Sequence, residues 1–160
     1  MYQKQGLGST GFQPYVWYVL QQELSMTTQE IELVRNSWVS VLAHRDEAGD
    51  FFYKHLFSQS PQMKGLFKSD TRTQNQKLMS SITLIVTKLN KLDNIKAEVE
   101  FLAKRHINYQ VKPAYFTVFG NAFFYMLAHI LGNNWTDEME IAWNKVYELI
   151  SQAMIDGLAG

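Results

Sequence analysis

A chain of 160 residues, 46% hydrophobic and 14% aromatic, has apolar material for one fully packed domain and for the lining of a large ligand site. Fifteen basic residues balance fifteen acidic ones, so nothing in the charge is built to draw the chain to nucleic acid or an anionic bilayer. The lack of cysteine excludes disulfides, thiolate zinc sites, iron–sulfur ligation and a cysteine nucleophile, and fits a reducing cytoplasm.

Residues 1–25 are expected to form an extension outside the core, and residues 26–160 the domain. The most apolar run of the extension, Phe12 to Leu20, carries Gln13 and Pro14 and falls far short of the roughly 20 residues of a membrane span. It also lacks the basic start and small-residue cleavage site of a secretory signal, and Met26 is an alternative start.

Thr27 with Glu30 three residues later makes a capping box, followed by Ile31, Val34, Trp38, Val41 and Leu42 at helical spacing. This predicts a first helix ending near His44. Asp46 is the expected cap of a second helix, which carries Phe51, Phe52, Tyr53, Leu56 and Phe57 until Ser60 and Pro61 break it. Pro61 suits the first turn of a short third helix that brings Met63, Leu66 and Phe67 to a corner. The polar run 68–73 reads as a turn. It precedes a long helix expected from Gln74 to Leu92, with Leu78, Ile82, Ile85, Val86 and Leu89 on one side.

Asn94 is expected to start a helix that places Leu102 and His106, four residues apart, on one inward face. A neutral imidazole there can bind a metal through one ring nitrogen while the other donates to a carbonyl of the preceding turn. The same position suits an ordinary core histidine. Pro113 opens the next helix, through Phe116, Phe119, Phe123, Met126, Leu127, Ile130 and Leu131, with Gly132 as its terminator. Thr136 caps the last, with Met139, Trp143, Val146, Tyr147, Ile150 and Met154 inward and Gly157 at its end. No stretch alternates at period two, so the domain is read as all-α.

In order and spacing, Trp38, Tyr53, Pro61, Phe67, Gln74, Leu78, His106 and Trp143 resemble the globin family over about Thr27 to Gly157. The likeness is to bacterial single-domain globins and the globin part of flavohaemoglobins, and from His106 to Gly157 also to neuroglobin. It implies a three-on-three helical sandwich around haem b (iron protoporphyrin IX). His106 would be the proximal iron ligand through Nε2, with Nδ1–H donating to a carbonyl near Leu102. Phe67 would lie flat against the porphyrin. Leu78, Leu102, Val111, Phe116 and Phe119 would fill an apolar pocket, as ordinary core residues also would. Lys77 would either pair with a haem propionate or stay solvated.

On the other side of the iron, the resemblance gives Tyr53 and Gln74 the ligand chemistry. Dioxygen gathers negative charge on binding ferrous haem, so a phenol O–H and an amide N–H aimed at it are charge-assisted donors. Each is worth about 1.5–3 kcal/mol, or roughly tenfold to a hundredfold in retention, and carbon monoxide gains less. Glutamine is a poor iron ligand, which implies an open or water-occupied sixth position. His44 and His129 read as surface or packing residues, and His55 projects away from the Tyr53 side.

Two departures bear on activity. The proximal tyrosine and glutamate of flavohaemoglobins are matched here by Phe116 and Leu158, so peroxidase-like push on His106 is not expected. The chain ends at Gly160 without a reductase domain, so turnover would need a separate reductase. The leading expectation is therefore reversible binding of dioxygen, with carbon monoxide and nitric oxide as other ligands, in a cytoplasmic monomer or weak homodimer. Nitric oxide dioxygenation and haem-based sensing are the alternatives.

Overall fold

A computed structural model describes residues 26–90, 104, 112 and 114–158, with backbone alone at 152, 153 and 155–158. Among the described residues the structure is helical and contains no strand.

Helix α1 spans Thr28–Leu42 and starts on the expected capping box: the Thr27 hydroxyl accepts from the Glu30 amide at 3.1 Å, and the Glu30 carboxylate accepts from the Thr27 amide at 3.0 Å. The same carboxylate meets Lys145 at 2.8 Å. The hydrogen bond from Lys145, more than the capping bonds, holds the Glu30 carboxyl below its usual range.

Helix α2 spans Arg45–Gln59, starting two residues earlier than Asp46 would allow as its cap. His44 holds the cap position without a side-chain bond, and Asp46 sits inside the first turn, where its charge complements the helix dipole. Ser60 ends the helix, and Pro61 opens a 3-10 helix over Pro61–Leu66.

Helix α3 spans Thr71–Thr87 and not Gln74 to Leu92. It starts early because Asp70, read from sequence as part of a turn, is its cap: one carboxylate oxygen accepts from the Thr73 amide at 2.9 Å and the other from the Thr73 hydroxyl at 2.8 Å. It stops early because Arg35 of α1 takes its final carbonyls, those of Val86 and Thr87, and the side chain of Asn90 as well.

Helix α4 spans Tyr115–Leu131; Asn94 and Pro113, expected to open helices, lie outside the described residues. Gly132, with φ of 52°, ends it as expected and leads into a 3-10 turn over Gly132–Asn134. Helix α5 spans Asp137–Leu158, with the Thr136 hydroxyl accepting from the Met139 amide at 3.2 Å, so Gly157 lies within the helix and not beyond it.

Helix α1 packs on α3 and α5, and α2 packs on α3 and α4. The centre holds Trp38 and Trp143, edge to face at 5.8 Å, with Phe123 at 6.2 Å from one and 5.5 Å from the other. Both indole N–H groups are matched: Trp38 donates to the Thr83 hydroxyl and Trp143 to the Ser37 hydroxyl, each at 2.9 Å. These bonds tie α1 to α3 and to α5. With its following turn, α4 is long and apolar enough by composition to cross a membrane. Its buried row, Phe123, Met126, Leu127 and Leu131, belongs to the core.

Candidate functional site

The site is positioned by the crossing of α2 and α3. Gly49, buried in α2, meets the side chain of Asn75, buried in α3, and the Asn75 amide donates back to the Arg45 carbonyl at 3.0 Å. Without a side chain at position 49 the two backbones approach closely. One turn after Gly49 comes Tyr53, and Gln74 directly precedes Asn75, so the crossing fixes the bases of both predicted ligand-contacting side chains.

Tyr53 is 4% exposed. Its ring stands edge-on to Phe52 at 4.9 Å and to Phe67 at 5.6 Å, and tilts against Phe57 at 5.9 Å. Burial pushes the phenol well above its ordinary value, so it stays protonated and able to donate across the neutral range. Among the described residues, none accepts its hydroxyl proton.

Phe67 also meets Phe57 edge-on at 5.5 Å, and Phe119 meets Phe52 at 4.9 Å, so Phe67, Tyr53, Phe52 and Phe119 form one aromatic group. Gln74 and Leu78 are both half-buried on one face of α3, and Lys77 is exposed beside them. Phe116 is half-buried on α4, nearly one turn before Phe119, and its carbonyl accepts from the Tyr147 hydroxyl of α5. Leu102, His106 and Val111 lie outside the described residues, although Lys104, two positions before His106, is helical.

The described residues fit a flat apolar group carrying a small polar ligand. Phe67, Leu78, Ile82, Phe116 and Phe119 pack against the core yet are only partly covered, and Tyr53, a buried residue, keeps a protonated hydroxyl that no described residue accepts.

A globin family model matches residues 50–154. The chain belongs to the globin family. This globin is 28% identical over 132 residues to a flavohemoprotein of Halalkalibacterium halodurans, covering 80% of this chain and 32% of that protein. It is 24% identical over 127 residues to a flavohemoprotein of Oceanobacillus iheyensis, covering 78% and 31%. The chain thus spans about a third of the length of these relatives. A neuroglobin of Tetraodon nigroviridis is 27% identical over 148 residues, covering 84% of this chain and 93% of that protein. A hexacoordinated heme protein from an anhydrobiotic tardigrade superposes with a TM-score of 0.77 at 16% identity, over 87% of this chain and 99% of that one, which shows the globin sandwich. The family and these relatives support a haem-binding globin.

Three features escaped sequence reasoning. Asn75 lies outside the apolar pattern that marks this helix, and the signal that could have exposed it was a glycine inside α2, which makes room for something. The Ser37 and Thr83 hydroxyls matter only through indoles far away in the chain. Tyr147 places a phenol on the backbone of Phe116, one of the two positions that depart from the flavohaemoglobin pattern. The three described histidines fall as expected: His44 is exposed, His129 stacks on Phe51 at 3.8 Å, and His55 stacks on Tyr125 at 4.1 Å.

Proposed function

We propose that this globin holds haem b with His106 as the axial ligand and binds dioxygen reversibly on the side of Tyr53 and Gln74, with carbon monoxide and nitric oxide as competing ligands. The observation that carries the reading is the buried residue Tyr53, whose ring is edge-on to Phe67 and whose hydroxyl stays protonated, with no described residue to accept it. When bound, haem supplies an iron centre that takes diatomic ligands and shifts negative charge onto dioxygen. Tyr53 donates its O–H, and Gln74 its amide N–H, to such a ligand; a neutral ligand such as carbon monoxide gains less from both. Gln74, an amide where an imidazole would bind iron, would serve as a hydrogen-bond donor to the ligand and not as an iron ligand itself. Phe67, Leu78, Leu102, Val111, Phe116 and Phe119 keep bulk water from the ligand, and Lys77 serves a propionate at the rim. Residues 26–160 form this domain, with 1–25 as an extension, in a cytoplasmic setting.

Displacement of dioxygen by carbon monoxide tests the reading. The release rate should rise about tenfold or more in Tyr53→Phe and in Gln74→Leu, because each loses a charge-assisted donor. Unchanged rates in both variants would refute it.

The likeness to flavohemoproteins favours one second reading, conversion of nitric oxide to nitrate with electrons from a separate reductase. Sustained turnover with a cellular reductant would support it, and a single turnover only would leave ligand binding as the function.

A further inference from the structure

Tyr147 stands on α5, but its polar end belongs to α4. Its hydroxyl donates to the Phe116 carbonyl, and the backbone of Gly120, one turn further on, also hydrogen-bonds to the phenol. The phenol thus sits at the carbonyl and amide that an α-helix pairs four residues apart. Gly120 is buried, and a β-carbon there would stand 2.6 Å from Cε1 of Tyr147 and 3.1 Å from its hydroxyl oxygen. Only a residue without a side chain lets the phenol come so close.

The ring is fixed by two neighbours on α4, stacked on Phe123 at 6.4 Å and edge-on to Phe124 at 6.0 Å. Among the described residues α4 packs mainly on α2 and only sparsely on α5, and no other hydrogen bond joins α4 to α5. The turn held in this way carries Phe119, the neighbour of Gly120. Phe119 meets Phe52 edge-on at 4.9 Å, and Phe52 meets Tyr53 edge-on at 4.9 Å. Phe52 and Tyr53 are both buried, so a shift of one ring in this line displaces the next.

We infer that Tyr147 is a positioning residue: by pinning the turn from Phe116 to Gly120 onto α5, it fixes Phe119 and, through Phe52, the direction in which Tyr53 presents its O–H. The inference rests on the proposed role of Tyr53 as donor to bound dioxygen. Tyr147 itself touches no ligand. A hydrogen bond weakens steeply as its donor turns out of line, so a small rotation of Tyr53 costs dioxygen its added stabilisation. Carbon monoxide, which draws less on that donor, loses less.

Tyr147→Phe tests this, because it keeps the ring against Phe123 and Phe124 and removes only the hydroxyl. In the full-length, haem-loaded protein, dioxygen release should quicken about threefold or more, while carbon monoxide release should change by less than about twofold. Gly120→Ala, whose methyl group displaces the phenol, should act in the same direction. In a Tyr53→Phe background, adding Tyr147→Phe should leave dioxygen release unchanged, since no hydroxyl remains to be aimed. A purely structural role would instead quicken release equally in both backgrounds, or equally for both gases. Either result, or no quickening by Tyr147→Phe, would overturn the inference. If Tyr53→Phe alone leaves release unchanged, the reading of Tyr53 as donor fails and this inference with it. If Tyr53→Phe quickens release and Tyr147→Phe does not, the positioning role alone fails.

Discussion

Gly49 and Asn75 touch so closely that a β-carbon at position 49 would overlap the Asn75 amide group. Nothing larger than a hydrogen atom is tolerated there, and the asparagine cannot swing aside without abandoning the Arg45 carbonyl. The contact therefore sets the separation of α2 and α3, and with it the placement of Tyr53 and Gln74.

Gly49→Ala should destabilise the protein by about 1–2 kcal/mol, since overpacking outweighs the roughly 1 kcal/mol that alanine gains in helix propensity. In an Asn75→Ala background the same change should be neutral or stabilising. A double-mutant cycle by denaturant titration checks this, and additive effects would contradict it.

Tyr53→Phe should change the stability of the haem-free protein by less than about 1 kcal/mol, because no described residue accepts the hydroxyl removed. In the loaded protein the same change should speed dioxygen release. Thermal unfolding with and without haem separates the two effects, and a large loss of stability in the haem-free form would mean that the hydroxyl has a structural partner.

Ser37→Ala should cost about 1–3 kcal/mol by leaving the buried Trp143 N–H without its acceptor. Ser40→Ala, at an exposed position three residues away, should fall within about 0.5 kcal/mol of the parent. Urea midpoints of the two variants make the comparison.

Burial raises the phenols of both Tyr53 and Tyr147 above their ordinary 10.0. The unfolded chain therefore loses these protons before the folded one does. The stability they confer is complete below about pH 10 and falls above it, by about 1.4 kcal/mol per pH unit for each phenol. Alkaline unfolding followed by tyrosinate absorbance should show this slope, and Tyr147→Phe should reduce it.

The apolar faces of this fold were legible in the sequence because they obey the helical period: Val34, Trp38 and Val41, or Phe123, Met126 and Leu127, are inward both by spacing and by burial. The polar fixtures were not. Asp70 is a cap whose neighbours read as a turn, since capping residues are themselves turn formers. Arg35 ends α3 from 51 residues away, and Tyr147 reaches Phe116 across 31, separations to which local pattern is blind. Periodicity could place Tyr53 and Gln74 on helices, but only likeness to a family gave them a ligand to face.

The absorption spectrum of the purified ferrous protein, with and without carbon monoxide and beside that of His106→Ala, tests the central claim most directly. The account predicts a haem protein whose spectrum shifts on adding carbon monoxide and whose histidine ligation is lost in the variant. A polypeptide that stays colourless with hemin, or a spectrum unchanged by His106→Ala, would contradict it.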